Sequence, residues 1–172
     1  MAEIKAPAAP KSGDPEDAAR WDAVEEAVEL IAEEHYRDAL DALRRVLEKD
    51  PKNAYAYNWV GVAMFESGEM EPARDAYRAA VKLAPAYTGA HVSLSHVLRQ
   101  LGDYREAIKE GMIALEQQPG DSDSLYAVGM AYYGRGDKVA ARRYLAAFLE
   151  ARPELETATE VRAIINAIDQ GL

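Results

Sequence analysis

The sequence contains no cysteine, which excludes a disulfide framework, a zinc site built on thiolates and a cysteine nucleophile. It also has no apolar run approaching the about 18 residues that a membrane-spanning helix needs. The first residues lack the apolar stretch that is typical of a secretory signal. These absences favour a cytoplasmic protein without a membrane partner.

Basic residues are fewer than acidic ones. The chain has 20 basic and 30 acidic residues, which gives a net charge of −10. Because such a chain repels a phosphate backbone, we do not expect a nucleic-acid partner. Residues 20–53 are the most acidic segment, with ten acids and six bases. That segment is either a solvated face or a docking patch for a basic partner.

Four kinds of position recur along the chain every 34 residues. Each period ends in a proline, which is preceded by an alanine, a glycine and a small residue at fixed distances. The prolines are Pro51, Pro85, Pro119 and Pro153; the alanines are Ala39, Ala73, Ala107 and Ala141; the glycines are Gly68, Gly102 and Gly136, with Glu34 in the first period; and the small residues are Ala27, Gly61, Ser95 and Gly129. A period of this length is typical of a helical repeat protein.

Each recurring position has a physical role in a helical hairpin. Glycine supplies the left-handed conformation that ends one helix, and the acid after it suits the N-terminus of the next. The small residues and alanines allow two helices to approach closely, and proline ends the second helix. A single hairpin cannot bury its apolar face, so the units must stack.

This pattern resembles the tetratricopeptide repeat. The second unit carries it at Tyr57, Val60, Gly61, Met64, Ala73, Tyr77, Ala80 and Pro85, and the fourth at Leu125, Val128, Gly129, Tyr132, Ala141, Leu145, Phe148 and Pro153. The resemblance implies an all-α fold, a right-handed α-solenoid of helix-turn-helix repeats. The first unit departs from the family at Glu26 and Glu34. The third unit has Gly111 at a usual aromatic position, which predicts a shallow spot there.

The period also predicts how the chain is organised. Residues 1–13 are expected to form a flexible N-terminal tail, because they contain little apolar bulk. Four repeats then occupy residues 20–53, 54–87, 88–121 and 122–153 within a region from 14 to 153. Asp14 and Pro15 are predicted to start a first helix that runs to about Glu33. Residues 154–172 are predicted to form a capping helix with one apolar stripe, made of Val161, Ile164, Ile165 and Ile168.

No catalytic or metal-binding constellation is visible, so we expect neither an enzyme nor a cofactor. The Arg-Gly-Asp triplet at 135–137 falls in register with the other inter-helix turns and is interpreted as a turn. His91 and His96 lie five residues apart, too far around a helix to hold one metal ion. His91 falls on a packing position, and His35 is predicted to lie in a turn.

The resemblance further implies that the first helices of successive units line a concave groove that binds peptides. The lining residues predicted to bind a partner are Tyr55, Asn58, Val62, Phe65, Val92, His96, Arg99, Tyr126, Met130 and Tyr133. Tyrosine and methionine are favoured anchors on such surfaces. Some of these residues could instead pack against the tail or the capping helix. The two-carboxylate clamp of certain co-chaperones is absent, since at most one of its residues matches.

Our leading hypothesis is a non-enzymatic adaptor that holds an apolar or amphipathic peptide or helix of another protein in this groove. The first alternative is an assembly subunit that uses its convex or terminal faces, which includes association with its own copies. A second alternative is a small acidic secretion chaperone, which the size and charge resemble.

Overall fold

The computed structural model describes residues 14–171, and within them the fold is all-α, as predicted. The tail predicted for residues 1–13 lies outside the described residues. The described part of the chain contains ten helices: α1 (Pro15–Asp22), α2 (Glu25–Ala32), α3 (Tyr36–Lys49), α4 (Ala54–Glu66), α5 (Met70–Leu83), α6 (Thr88–Gln100), α7 (Tyr104–Gln117), α8 (Ser122–Arg135), α9 (Lys138–Glu150) and α10 (Leu155–Asp169).

The described residues divide into two compact units. The N-terminal unit ends at Ser93 and the C-terminal unit begins at Leu94, so the division falls inside α6. The order of helix, short turn and helix matches the predicted hairpins, with α10 following them as the capping helix.

Side-chain caps start four of the hairpin helices, α4, α7, α8 and α9. Asn53 accepts a hydrogen bond from the Ala56 N–H at 3.1 Å, and Asp121 accepts one from the Ser124 N–H at 2.8 Å. Asp103 and Asp137 follow turn glycines and cap α7 and α9 in the same way. The Ala140 N–H, together with Arg135, lowers the pKa of the Asp137 carboxyl. These acids therefore satisfy backbone donors that the helix ends leave free.

The glycines of the repeat end helices in the left-handed conformation. Gly68, Gly102 and Gly136 have φ angles of 83°, 80° and 85°. Glu34, which replaces glycine in the first period, adopts the same region with φ of 60°. A residue with a Cβ is strained there, so the first turn keeps the family geometry without the family residue.

Close helix contacts occur where the repeat places small residues. In the N-terminal unit, a Cβ added to Gly61 would lie 2.5 Å from Cε1 of Tyr77 on α5. In the C-terminal unit, one added to Gly129 would lie 2.7 Å from Cδ2 of Leu145 on α9. Ser95 takes this position in α6 and donates a hydrogen bond to the Ala107 carbonyl at 2.7 Å. The small-residue positions thus mark where two helices of a repeat touch.

The first helix differs from the prediction, because it is broken between Asp22 and Glu25. The cause is tertiary: polar contacts hold α1 against the start of α4. Arg20 Nε donates to Asp50 at 2.7 Å, and Asn53 Nδ2 donates to the Arg20 carbonyl at 2.9 Å. The guanidinium of Arg20 lowers the pKa of Asp50. Periodicity alone could not reveal these contacts.

The C-terminal unit has a core shared by α8, α9 and α10. Leu125, Leu145 and Phe148 pack there with Val161 from the capping helix. Ile164 and Ile165, two members of the apolar stripe predicted for this helix, pack against the cluster. The shallow spot expected at Gly111 is absent, because Val128 and Ser95 fill the space beside it.

We predict that Glu34→Gly stabilises the protein, since glycine removes the strain of a left-handed residue. The free energy of unfolding should rise by roughly 0.5–1 kcal/mol. Gly102→Ala, at the same position of the third repeat, should lower it by roughly 1 kcal/mol. Urea unfolding followed by circular dichroism measures both changes. A loss of stability in Glu34→Gly would contradict the strain argument.

We predict that Gly129→Ala destabilises the fold by roughly 1–3 kcal/mol, because the new methyl group overlaps Leu145. The cost should shrink in a Leu145→Ala background, where both overlapping atoms, Cγ and Cδ2, are removed. The four-variant cycle is measured by urea unfolding. Additive effects of the two substitutions would show that the helices do not touch here as described.

Candidate functional site

The predicted binding residues of the N-terminal unit lie mostly under their own chain. Tyr55 is buried: its ring meets Trp21 edge-on at a centroid distance of 5.4 Å and Tyr87 at 4.9 Å. Its hydroxyl donates to Asp17 at 2.6 Å. Burial and this hydrogen bond raise the pKa of Tyr55. The α1 helix therefore already occupies the ring and the hydroxyl that the sequence suggested as a partner contact.

Asn58 and Val62 follow Tyr55 along α4 and are also buried. Asn58 is 0% exposed, and neither its Oδ1 nor its Nδ2 has a hydrogen-bond partner among the described residues. Of the residues predicted in this unit, Phe65 and Val92 are half-buried and keep accessible surface.

In the C-terminal unit, Tyr126 and Met130 belong to the core rather than to an open face. Both are buried in the cluster that contains Val161 of the capping helix. The Tyr126 ring lies 5.2 Å from the Phe148 ring. Burial, together with the negative charge of Glu160, raises the pKa of Tyr126. Packing against the capping helix was the alternative that the sequence left open for such residues.

His96 and Arg99 lie one turn apart on α6 and are half-buried. The His96 ring is 5.9 Å from the Tyr126 ring. Burial and, secondarily, the charge of Arg99 lower the pKa of His96 to about 4, so this imidazole is neutral near neutral pH. The Nε atom of Arg99 is buried without a hydrogen-bond partner, and no ion pair to Arg99 occurs among residues 14–171.

One column of the repeat remains accessible in every period. Its members are Ile31, Phe65, Arg99 and Tyr133, spaced by 34 residues. The first three are half-buried, and Tyr133 is 37% exposed. Each unit therefore presents two of these side chains. Phe65, Arg99 and Tyr133 are among the residues predicted from the sequence to bind a partner, and Ile31 is not.

Two clefts open on the N-terminal unit, and neither was predicted from the sequence. The larger one, about 510 Å³, lies between α3 and α4. The smaller one, about 310 Å³, lies on α1 and α2, where its lining is Trp21, Val24, Glu25, Val28 and Glu29. Periodicity could have indicated the second, because Trp21, Val24 and Val28 occupy the inner-face positions of the first repeat.

The other motifs have structural roles. Arg135 and Asp137 form an ion pair at 3.1 Å across the turn that Gly136 makes, as the interpretation of the triplet predicted. His91 is buried with its Nε2 2.9 Å from the Pro85 carbonyl oxygen, as a packing residue should be.

Within residues 14–171 no three His, Asp or Glu side chains gather as a metal site would require. Among the described helices, none combines the length and apolar character that a bilayer crossing demands.

The profile of a known family matches the sequence over residues 24–88 and 93–156, and its description is tetratricopeptide repeat. The chain belongs to the tetratricopeptide repeat family. Proteins built from this repeat are generally non-catalytic scaffolds, and the fold is one that serves protein–protein interaction.

Solved structures with the same fold cover most of the chain. The crystal structure of MamA is 25% identical and has a TM-score of 0.69, covering 82% of this chain and 81% of MamA. PilF of Pseudomonas aeruginosa is 20% identical with a TM-score of 0.74, covering 92% and 79%. A thermophilic repeat protein of Thermus thermophilus is 21% identical with a TM-score of 0.70, covering 88% and 82%. The last two show the fold alone.

Curated relatives are much longer than this chain. The peroxisomal targeting signal receptor of Kluyveromyces lactis is 30% identical over 86 residues, 50% of this chain and 15% of the receptor. The probable UDP-N-acetylglucosamine–peptide N-acetylglucosaminyltransferase SPINDLY of Hordeum vulgare is 30% identical over 110 residues, 60% of this chain and 12% of the enzyme. The similarity to this transferase does not show catalysis in this chain.

We predict that His96 makes stability depend on pH. Because its pKa is lowered in the folded state, its contribution is complete above the unfolded value of about 6.5 and is lost as the pH falls towards 4. His96→Gln should remove this loss, on the order of 1–3 kcal/mol. Urea unfolding of both proteins from neutral pH to pH 4 tests this, since the carboxylates titrate equally in both. Parallel pH profiles would contradict the lowered pKa.

Proposed function

We propose that this protein is a non-enzymatic adaptor whose inner helix faces bind an apolar or amphipathic peptide or helix of another protein. The accessible column of the repeat carries the proposal: Ile31 and Phe65 in the N-terminal unit, and Arg99 and Tyr133 in the C-terminal unit. At this register position of the inner helices, a large side chain is half-buried or exposed in every period.

The chemistry of the column suits an amphipathic ligand. Ile31, Phe65 and Tyr133 offer apolar surface, and burial of such surface contributes about 25 cal/mol per Å² before ordering costs. Arg99 offers a guanidinium with an unused buried Nε and no ion pair among the described residues. A buried donor without a partner costs stability. An acidic side chain or a helix C-terminus of the ligand that interacts with the Arg99 guanidinium would therefore stabilise the complex.

The remaining predicted residues take other roles in this proposal. Val92 and His96 flank the column as half-buried neighbours that a ligand can touch. The other predicted residues are buried and support the inner faces, so a ligand does not reach them in this structure: Tyr55, Asn58, Val62, Tyr126 and Met130. Because the neutral His96 adds no charge, the binding of an acidic group would depend on Arg99.

The relatives support partner binding as a class of function. The Kluyveromyces lactis relative is named a receptor for a targeting signal, and this chain matches 15% of it. The acidic charge favours a protein partner over nucleic acid. We place this adaptor in the cytoplasm, as the sequence suggested, and a role as a secretion chaperone would be one form of the same binding.

A second candidate is an assembly subunit that associates through outer surfaces, with its own copies or with a larger complex. The observation that favours it is the exposure of Val139, at 84%, and of Leu155, at 78%. Both are large apolar side chains that contribute little to the core.

Site-specific photo-crosslinking in the native source should separate these functions. A crosslinking amino acid at Phe65 or Tyr133 should capture the same protein, whereas one at Lys82, an exposed position on α5, should capture none. Tyr133→Ala should reduce capture by a crosslinking amino acid at Arg99, in the same unit, about tenfold, because aromatic anchors contribute about 1–2 kcal/mol or more. Capture at Val139 with none at Phe65 or Tyr133 would favour the assembly subunit and reject the adaptor.

A further inference from the structure

Nearly all the net charge of the chain lies on one short segment. Residues 14–34 contain nine acidic residues and one arginine, so they carry eight of the ten net negative charges. This segment corresponds to α1, α2 and the turn after them. From the sequence, its acids could form either a solvated face or a docking patch for a basic partner.

The acids of this segment fall into two groups by their partners. Glu16, Glu26 and Glu33 pair with Arg20, Arg45 and His35. Glu25 and Glu29 have no ion pair or hydrogen bond from their side chains within the described residues. Asp22 and Glu34 likewise have no side-chain partner among the described residues, and of these four unpaired carboxylates only those of Glu25 and Glu29 line the 310 Å³ cleft.

The rest of the cleft lining is apolar. Trp21 and Val28 are half-buried and Val24 is buried. Glu25, Val28 and Glu29 follow the spacing of one face of α2, and Trp21 at the end of α1 lines the same cleft. The Tyr55 ring meets the Trp21 indole edge-on, which restrains the position of the indole. The cleft therefore combines a fixed indole, aliphatic walls and two unpaired carboxylates one turn apart.

We propose that this cleft binds an arginine or lysine side chain that projects from an apolar segment of the partner protein. A cation is attracted by the face of an indole, and a guanidinium also pairs with carboxylates through its fork of N–H groups. The methylene stem of either side chain can cover Val28. The volume suits one or two side chains rather than a folded domain. This inference rests on the proposed function and specifies the chemistry of its partner.

The chain offers an internal reporter for the test. Its two tryptophans are Trp21, in the cleft, and Trp59, which is 2% exposed in the core. In a nitrogen-15 labelled sample the indole N–H of Trp21 should shift when the cleft is filled, and that of Trp59 should not. The probe is a capped Leu-Arg-Leu tripeptide, with Leu-Lys-Leu, Leu-Gln-Leu and Leu-Glu-Leu as matched peptides.

We expect saturable shifts of Trp21 with the arginine and lysine peptides. The glutamine peptide should bind about tenfold more weakly, and the glutamate peptide should cause no shift. The Glu25→Gln, Glu29→Gln double variant should bind the arginine peptide about five- to tenfold more weakly. The control variant Glu33→Gln, Glu34→Gln removes the same charge from the same segment outside the cleft, and it should change the affinity less than about twofold.

Several results would overturn the inference. Equal binding of the arginine and glutamine peptides would make the cleft a purely apolar contact. An equal loss of affinity in the control variant would show that the peptide is attracted by the acidic surface in general and not by the two carboxylates of the cleft. A Trp21 shift on concentrating the protein alone, lost in Glu25→Gln, Glu29→Gln, would assign the cleft to a second copy of this chain. If Trp21 never responds while crosslinks at Phe65 and Tyr133 persist, only this inference fails.

Discussion

Close approach of paired helices is the constraint on which the repeat depends. The Gly129 backbone lies against the Leu145 side chain, and Gly61 lies against the Tyr77 ring, with no room for a methyl group. Because the contact is at backbone distance, the side chains around it interlock and each hairpin gains a defined packing angle. The period of 34 residues repeats this contact, and the capping acids and left-handed turns return the chain to it each time.

The same packing determines which side chains remain for a partner. A helix that is packed against neighbours on both sides has a narrow free strip, and in this protein one inner-face register position stays accessible in every repeat. Phe65, Arg99 and Tyr133 occupy this position. Tyr126, about two turns before Tyr133 on the same helix, is already in the core. The proposed adaptor function therefore depends on positions that the fold does not use for itself.

The ends of the chain modify the repeat in different ways. At the C-terminal end, α10 places Val161 over Tyr126 and Met130 and completes a core. In the first repeat, α1 is held by polar contacts from Arg20 and Asp17, and no residue of α1 is buried. Besides the contact of the Trp21 ring with Tyr55, α1 is therefore held by partly exposed polar contacts, which contribute less than a buried apolar face would. It also carries the acidic cleft, so charge and accessibility coincide there.

The sequence by itself determined the helical hairpins, their turns, the close contacts and the capping helix, because these follow from local backbone preferences repeated at a fixed spacing. It could not determine the burial of Tyr55, Tyr126 and Met130, the break in the first helix or the two clefts. Those depend on contacts between residues far apart in sequence, such as Asp17 with Tyr55 and Tyr126 with Phe148. Periodicity states which face a residue is on, and only tertiary packing decides what covers that face.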